Sequence, residues 1–488
     1  MFTQVESVKP LKEYIAERSE GLTEDLRVYA LPYEEQAINM MRRHLLSGSH
    51  FGILFDVDVD GLASGLIMYE FLGELEETPK TFMNIDKEHG LNDAITAEII
   101  QSGIDILVIV DAGSSDIHHI KQINNAGIEV LVLDHHEIEG NDEFVGAHHV
   151  IVNVCMGENT ELSAGGVVFK FIERLTAAMG MDYTLRNRHL NWAGLSVISD
   201  SCSLLNDENR YMARHLSENF RQEQIFGLPK YYGSPRSLFS FQVIPMLNAQ
   251  IRMNQTKRAI QMVLERSKRR LTDLWDQGTE TLNEARSLVD SNIKNGRVTK
   301  NANFTIAQIT HGTLSGLIAN KLVKERGVPA IAIYRSKTGT IRGSFRGPGT
   351  HHYLDYFQER GIWAKGHQAA FGLQFTDAEF EMIADLYNSF PSYPPSPEII
   401  LNTDNLTETF TYMRDMARFN ELADHRLQPF LLKVNLQAPQ MSVYGKLKTI
   451  IDGPWEIKDF TEKPLTRTII VKPCLDNSIL GYQLLRDR

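Results

Sequence analysis

Phe51-Gly-Ile-Leu-Phe55-Asp56-Val-Asp58-Val-Asp60-Gly61 is the stretch whose reading decides the fold. Five apolar residues in an unbroken run read as a strand buried on both faces, and the run stops at three aspartates on alternate positions. From Leu62 to Leu75 the pattern turns helical. The alternation then repeats: Ile106-Leu-Val-Ile-Val110 precedes a helical stretch from Asp116 to Ala126, followed by Glu129-Val-Leu-Val-Leu133 and Val150-Ile-Val152. Short β-branched runs alternating with helices predict a parallel sheet covered by helices on both faces. Residues 30–235 therefore read as one α/β domain, with residues 1–29 as an N-terminal leader.

The residues that end these runs point to chemistry. The first run ends in Asp56, Asp58 and Asp60, the second in Asp111-Ala-Gly113, the third in Asp134-His135-His136. Ligands of open parallel sheets bind outside the carboxyl ends of the strands, so these groups should meet along one edge. A single aspartate after a strand is commonly a helix cap or turn residue. Several at one edge repel one another unless a cation compensates, and mixed carboxylate and imidazole donors suit Mn²⁺ or Mg²⁺ better than a structural zinc. A metal site is the economical reading. Asp200, ending the apolar stretch Trp192-Ala-Gly-Leu-Ser-Val-Ile-Ser, is a further candidate on its setting, with an ordinary helix end as the alternative.

Downstream the texture changes. Residues 236–298 read as a connecting segment with one long helix over about 255–295, its apolar period carried by Ile260, Val263, Leu264, Leu271 and Leu274. Lys257 to Arg270 is locally basic, although a charge run is usually a solvated helix face. Residues 299–390 form a second, smaller α/β unit: strands at Asn303–Ile309 and Ala330–Tyr334, a helix at Gly316–Arg326, then Gly-rich turns. Pro391-Ser-Tyr-Pro-Pro-Ser-Pro397 fits neither a helix interior nor a central strand and marks a boundary. Residues 391–488 read as a mixed or OB-like domain with strands at Val443–Ile451, Thr468–Val471 and Leu480–Leu485.

Composition sets bounds. The chain has 488 residues, enough for several domains at roughly 100–200 residues each, and 50 Lys+Arg against 62 Asp+Glu give a net charge of −12. That balance argues against coating nucleic acid through overall charge. No apolar run approaches the ~20 residues of a membrane span, and Met1 to Leu26 lack the apolar core of a secretory signal. Cys155, Cys202 and Cys474 show no metal-ligand spacing. A cytoplasmic protein without a membrane partner is expected.

Together the motifs resemble the DHH phosphoesterase superfamily, in the pattern of RecJ-like single-strand-specific DNA exonucleases. They stand as Asp56-Val-Asp58-Val-Asp60-Gly61-Leu-Ala-Ser64, Asp111-Ala-Gly113, Asp134-His135-His136, and Asp200 followed by Asn206-Asp-Glu208-Asn209-Arg210. Lys87-Glu88-His89-Gly90-Leu91 resembles the family's segment after the second strand, and Pro245 to Met253 the one opening the connecting helix. Gly343-Ser344-Phe-Arg346 and Gly366-His367-Gln-Ala-Ala-Phe-Gly372 resemble the nucleotide-facing motifs of a DHHA1-type domain. The likeness covers residues 30–385. Met246 stands where the family usually has Arg, Ile251 where it has Gly, and Lys365 at the first Gly of Gly-Gly-His, which leaves strand binding and end recognition open.

The resemblance implies two divalent ions, Mn²⁺ foremost and Mg²⁺ otherwise, held by Asp58, Asp60, Asp111, His135 and Asp200, with Asp111 bridging and Asp56 as ligand or support. Asp134 would accept the second N–H of the adjacent imidazole of His135, leaving His136 to contact the scissile phosphate or the leaving oxygen. Arg252, Ser344, Arg346, Gly366 and His367 would bind substrate. The implied activity is 5′→3′ hydrolysis of single-stranded DNA to nucleoside 5′-monophosphates in repair, recombination or replication, by a monomer that meets a single-strand-binding protein or helicase. A DHH-family oligoribonuclease or cyclic-dinucleotide phosphodiesterase, and a non-catalytic replication scaffold, are the alternatives. The pairs His118-His119, His148-His149 and His351-His352 read as surface residues, since neighbours in a helix or strand point apart.

Overall fold

The computed structural model describes residues 3–5, 29–84, 89–158, 161–202, 204, 206–219, 238–265, 267–310, 312–336, 339–348, 352–381, 388–391, 399–402, 430–435, 437, 440–444, 447–452, 455–459, 468–476 and 479–487. Strand β1 (Thr3–Val5) joins the last of three sheets. Helix α1 (Glu34–Ser47) leads into β2 (Phe51–Phe55), α2 (Val59–Glu74), β3 (Lys80–Phe82), α3 (Asp93–Ile100), β4 (Ile106–Val110), α4 (Ile117–Asn125), β5 (Glu129–Asp134) and β6 (His149–Asn153). The five strands run in the order β3-β2-β4-β5-β6, every neighbouring pair parallel. This is the sheet expected from the apolar runs.

Every residue of β2 and β4 is buried, because alternate side chains feed two different cores. Ile53, Val108 and Val110 pack on one face with Leu66 and Ile67 of α2. Leu54, Leu107 and Ile109 pack on the other with Ile99 and Ile120. Each fully buried side chain of this kind contributes roughly 1.5–3 kcal/mol, so the strand ends are held firmly where the aspartates begin.

Helices α5 (Ala164–Met179), α6 (Arg186–Ser199) and α7 (Asp207–Asn219) complete the first domain. The segment Glu208-Asn209-Arg210 is a clamp in this packing. Glu208 takes Lys170 Nζ at 2.6 Å in full burial, Asn209 Nδ2 donates to Glu161 O at 2.6 Å, and Arg210 donates to Leu204 O at 2.9 Å.

The single long helix expected over 255–295 is two helices. After α8 (Ile244–Arg252), entered through a π-turn at Phe239–Val243, α9 (Thr256–Leu264) stops at extended Glu265, and α10 (Lys268–Asn295) begins after extended Ser267. Ala259, Met262 and Val263 of α9 belong to the first domain's core; α10 packs Leu274 and Trp275 against that same core and then Ala285 and Val289 with the second domain.

The second sheet comprises β7 (Arg297–Lys300), β8 (Thr305–Gln308), β9 (Ala330–Arg335), β10 (Ile341–Arg346), β11 (Trp363–His367) and β12 (Ala370–Phe375), in the order β11-β12-β10-β9-β8-β7. Only β8 and β9 pair in parallel; the other pairs are antiparallel. One face carries an aromatic core in which Phe345 stacks on Phe371 with centroids 4.5 Å apart. Helix α11 (Ser315–Arg326) covers β9 and β10 on the other.

The third sheet has eight strands, β1 with β13 (Ile399–Asn402), β14 (Phe430–Asn435), β15 (Gln440–Tyr444), β16 (Leu447–Asp452), β17 (Trp455–Asp459), β18 (Thr468–Asp476) and β19 (Ile479–Asp487). Thr3–Val5, within the stretch read as a leader, pair in parallel with Ile399–Leu401. The strand expected over Val443–Ile451 is a hairpin of β15 and β16. The proline string at 392–397 lies outside the described residues. Among the described residues no helix is long and apolar enough to cross a membrane.

Candidate metal centre

The centre is built at the carboxyl edge of the first sheet. Asp58 caps α2, its Oδ1 accepting the Gly61 N–H at 3.0 Å. A Cβ on Gly61 would stand 2.4 Å from Asp56 O, so this turn closes only over glycine. The capping role and a ligand role coexist in Asp58, because one oxygen serves the cap and the other is left over. Asp60, in the first turn of the helix, is buried and receives the N–H groups of Ala164 and Gly165 at the start of α5 and the hydroxyl of Ser196. Asp111 follows β4 in a left-handed conformation, φ +62°, which directs its carboxylate to the same spot at a conformational cost.

Three overlapping donor groups result: Asp56, Asp58 and Asp111; Asp60, His135 and Asp200; Asp111, His135 and His136. Within each, one donor atom per residue lies within 4.8 Å of the others. Asp111 and His135 each stand in two of them. His135 Nε2 lies 3.2 Å from Asp111 and 3.6 Å from Asp60, and its Nδ1 is 3.9 Å from Asp200. All six metal-ligand candidates, Asp56, Asp58, Asp60, Asp111, His135 and Asp200, are therefore brought together.

Electrostatics tests whether these donors fit a cation. Burial, then Asp60 and Asp58, push Asp111 well above the usual carboxylate range. Burial, Asp56 and Asp60 push Asp58 up to about 6. Burial also raises Asp60, against the pull of His135. Such mutual repulsion is what a divalent ion relieves, and the oxygen-rich set with one imidazole suits Mn²⁺ or Mg²⁺. The donors fit the ions.

Asp134 corrects the sequence reading. As the last residue of β5 its carboxylate folds forward over the next two amides, accepting the N–H groups of His135 at 2.7 Å and His136 at 3.2 Å. This sets it under the ring of His136, whose Nδ1 is 2.9 Å away, while the His135 ring turns toward Asp60 and Asp111. The nitrogen of His136 nearest Asp111, Nδ1 at 3.9 Å, is the one given to Asp134, so Nε2 remains for a ligand. Burial works to lower His136, yet Asp134 raises it to about 9.

Sequence reading missed two groups. His89 Nδ1 lies 2.6 Å from buried Asp56, and its ring is 6.5 Å from that of His136. Its only signal was membership of the Lys87–Leu91 segment. Ser196 lies one turn before Asp200 on α6, and that spacing puts both on one helix face.

Across the cleft, Arg252 ends α8 close enough to feel Asp58. Burial and then the charge of Arg252 lower Arg346 to about 10, so the two guanidiniums lie near enough for their charges to interact. Ser344 Oγ is 2.8 Å from Ser315 Oγ at the start of α11, and a Cβ on Gly316 would meet the Arg346 guanidinium at 2.9 Å. Gly366 sits at φ +136°, where a Cβ would meet Ala370 O at 2.9 Å, and His367 ends β11 opposite Ala370. Met246 and Ile251, two departures from the family pattern, are buried in the core. The pairs His118-His119 and His148-His149 lie elsewhere, His119 near Asp93 and His149 near Asn124. In the basic run, Arg258 turns to Gln255 and Thr281, and Arg270 faces Glu265.

Comparison with known proteins agrees with this geometry. Residues 50–195 match the DHH family, N-terminal domain. The chain is 24% identical over 356 residues to the putative SPbeta prophage-derived single-strand DNA-specific exonuclease YorK of Bacillus subtilis (strain 168), covering 64% of this chain and 60% of YorK. It is 25% identical over 332 residues to the single-stranded-DNA-specific exonuclease RecJ of the same organism, covering 64% of this chain and 40% of RecJ. The chain thus spans about half the length of these relatives. Among solved structures, RecJ of Thermus thermophilus in complex with Mn²⁺ superposes with a TM-score of 0.75 at 17% identity, over 96% of this chain and 72% of that one. An exonuclease RecJ bound to manganese gives 0.61 at 18% identity, over 76% and 97%. Residues 50–195 thus match a DHH-family domain, and the fold of the chain is RecJ-like.

Proposed function

We propose that this chain is a metal-dependent phosphodiesterase that degrades single-stranded DNA from its 5′ end to nucleoside 5′-monophosphates. The observation that carries the reading is the meeting of donor groups sharing Asp111 and His135 with two buried guanidiniums, Arg252 near Asp58 and Arg346 near Arg252. Neighbouring cations repel when alone and are stabilised by an anion beside them.

Asp58, Asp60, Asp111, His135 and Asp200 would hold two divalent ions, Mn²⁺ foremost, with Asp111 shared and Asp56 in support. Bound ions of this kind acidify water and neutralise charge on a phosphoryl group. The protein's own groups do the rest. Asp134 fixes the ring of His136 so that Nε2–H donates to a phosphate oxygen. Ser344, Ser315, Arg346 and the N-terminus of α11 form a natural seat for a further phosphate. Arg252 spans the two, and Gly366 with His367 lets backbone approach the nucleotide. The description of YorK and RecJ as single-strand-specific exonucleases supports a polymeric DNA substrate.

The test uses 5′- and 3′-labelled single strands and the matching duplex, with Mn²⁺, for wild type and Asp111→Asn. Mononucleotide release from the 5′ label of the single strand alone, lost in the variant, is expected. Activity confined to dinucleotides, or release beginning at the 3′ end, would overturn the assignment.

A further inference from the structure

The register of the second sheet places an unexpected set of residues on one face. Across β10, β12 and β11 the paired rows are Arg342–Gln374–Trp363, Ser344–Gly372–Lys365 and Arg346–Ala370–His367. Residues opposite one another in a sheet share a face, so the first two rows stand on the same side together with Arg346 and Ala370. Burial agrees: Ile341, Gly343 and Phe345 are buried while Arg342, Ser344 and Arg346 are half-exposed, and β12 alternates in the same way.

The outer strands raise walls over a low floor. Ala370 and Gly372 form the floor beside Arg346 and Lys365, where a Cβ on Gly372 would meet only Lys365 O, at 3.8 Å, and Gln374 stands beside Trp363. The walls are two inter-strand spacings apart, roughly 10 Å. Helix α11 covers this face over β9 and β10, and Trp363 on β11 is 54% exposed. On a chain with 62 acidic residues, none of the three strands carries a carboxylate. The trough also continues the cleft: Arg346 at one end lies near enough to Arg252, and Lys365 near enough to Asp116 of the first domain, for their charges to interact.

We infer that this trough seats single-stranded DNA beside the scissile phosphate, with Trp363 stacking on a base and Arg342 and Lys365 following the backbone. An exposed tryptophan alone means little. One flanked by cations and open space, continuous with a phosphate-handling cleft, has the two elements of single-strand recognition: a stacking platform and a positive groove. The inference rests on the proposed function and adds the residues that hold the polymer.

Binding of the full chain to a fluorescent 20-nucleotide oligo(dT), and to an abasic strand of equal length, measured by anisotropy in chelator, separates the contributions. Trp363→Ala is expected to weaken oligo(dT) binding about tenfold, within the range for losing one stacked base, and to leave abasic binding unchanged. Trp363→Phe should retain most of the affinity, and Lys365→Ala should weaken both strands alike. Unchanged oligo(dT) binding by Trp363→Ala, or equal loss on both strands, overturns the inference. A wild type that binds and cuts single strands while ignoring Trp363 leaves the function standing; one that neither binds nor cuts removes both.

Discussion

The Oδ1 of Asp134 lies 2.9 Å from Nδ1 of His136, with the carboxylate buried and the imidazole 36% exposed to the cleft. A fixed ring with one free nitrogen is what a phosphate contact requires. It yields the first prediction. Asp134→Asn should reduce turnover by about 100-fold, within the range for a positioned acid–base group, while Mn²⁺ affinity stays close to wild type. The sign of the pH effect follows from His136, which is protonated below about 9 because of Asp134. Removing that carboxylate lowers its pKa, so the basic limb of the pH–rate profile should move to lower pH. Loss of Mn²⁺ in calorimetry on the same scale as turnover would reject the role.

Asp111→Asn should have opposite effects with and without metal. Asparagine tolerates the left-handed backbone at φ +62°. In chelator the variant loses repulsion from Asp60 and Asp58 and should be more stable, by roughly 1–2 kcal/mol. Saturating Mn²⁺ should then stabilise wild type by ~3 kcal/mol at 100-fold excess over Kd, and the variant far less. Thermal melts of both forms in chelator and in Mn²⁺ check the crossing.

The Lys170–Glu208 pair tests whether Glu208-Asn209-Arg210 is structural. Both side chains are at least 94% buried and 2.6 Å apart. Glu208→Ala strands the ammonium and should cost about 3–5 kcal/mol, whereas the double variant Lys170→Met, Glu208→Leu should recover much of that. Urea unfolding measures both. A Glu208→Ala protein of normal stability and impaired turnover would move the segment into the chemistry.

Acid stability should depend on Glu70. Burial works to raise its pKa, but His189, whose Nε2 lies 3.5 Å away, and the hydrogen bonds of Arg188 bring it down to about 2. A depressed carboxylate stabilises the fold above its unfolded pKa and loses that contribution as pH falls through the folded one. The window is therefore about pH 4.5 to 2, and the amount on the order of 3 kcal/mol. Urea titrations in chelator at pH 7, 4 and 3 should show a steeper acid loss in wild type than in Glu70→Gln. Parallel loss in the two proteins would exclude this origin.

By itself the sequence determined the parallel sheet and the edge at which its acidic groups meet, because apolar runs fully buried on both faces leave little freedom in where each strand stops. Asp56, Asp58, Asp60, Asp111 and His135 were legible for that reason, as was Asp200 through its motif. The −12 net charge was a true sum and a poor guide to the cleft. Only the tertiary structure decided which imidazole Asp134 holds, since adjacent rings diverge and a carboxylate's reach depends on how the chain turns after β5. It alone broke the connecting helix between Glu265 and Ser267, beyond which α10 passes from the first domain's core to the second's. It alone brought His89 to Asp56 and lined up Arg342, Lys365 and Trp363, because strand register joins residues that no local pattern connects.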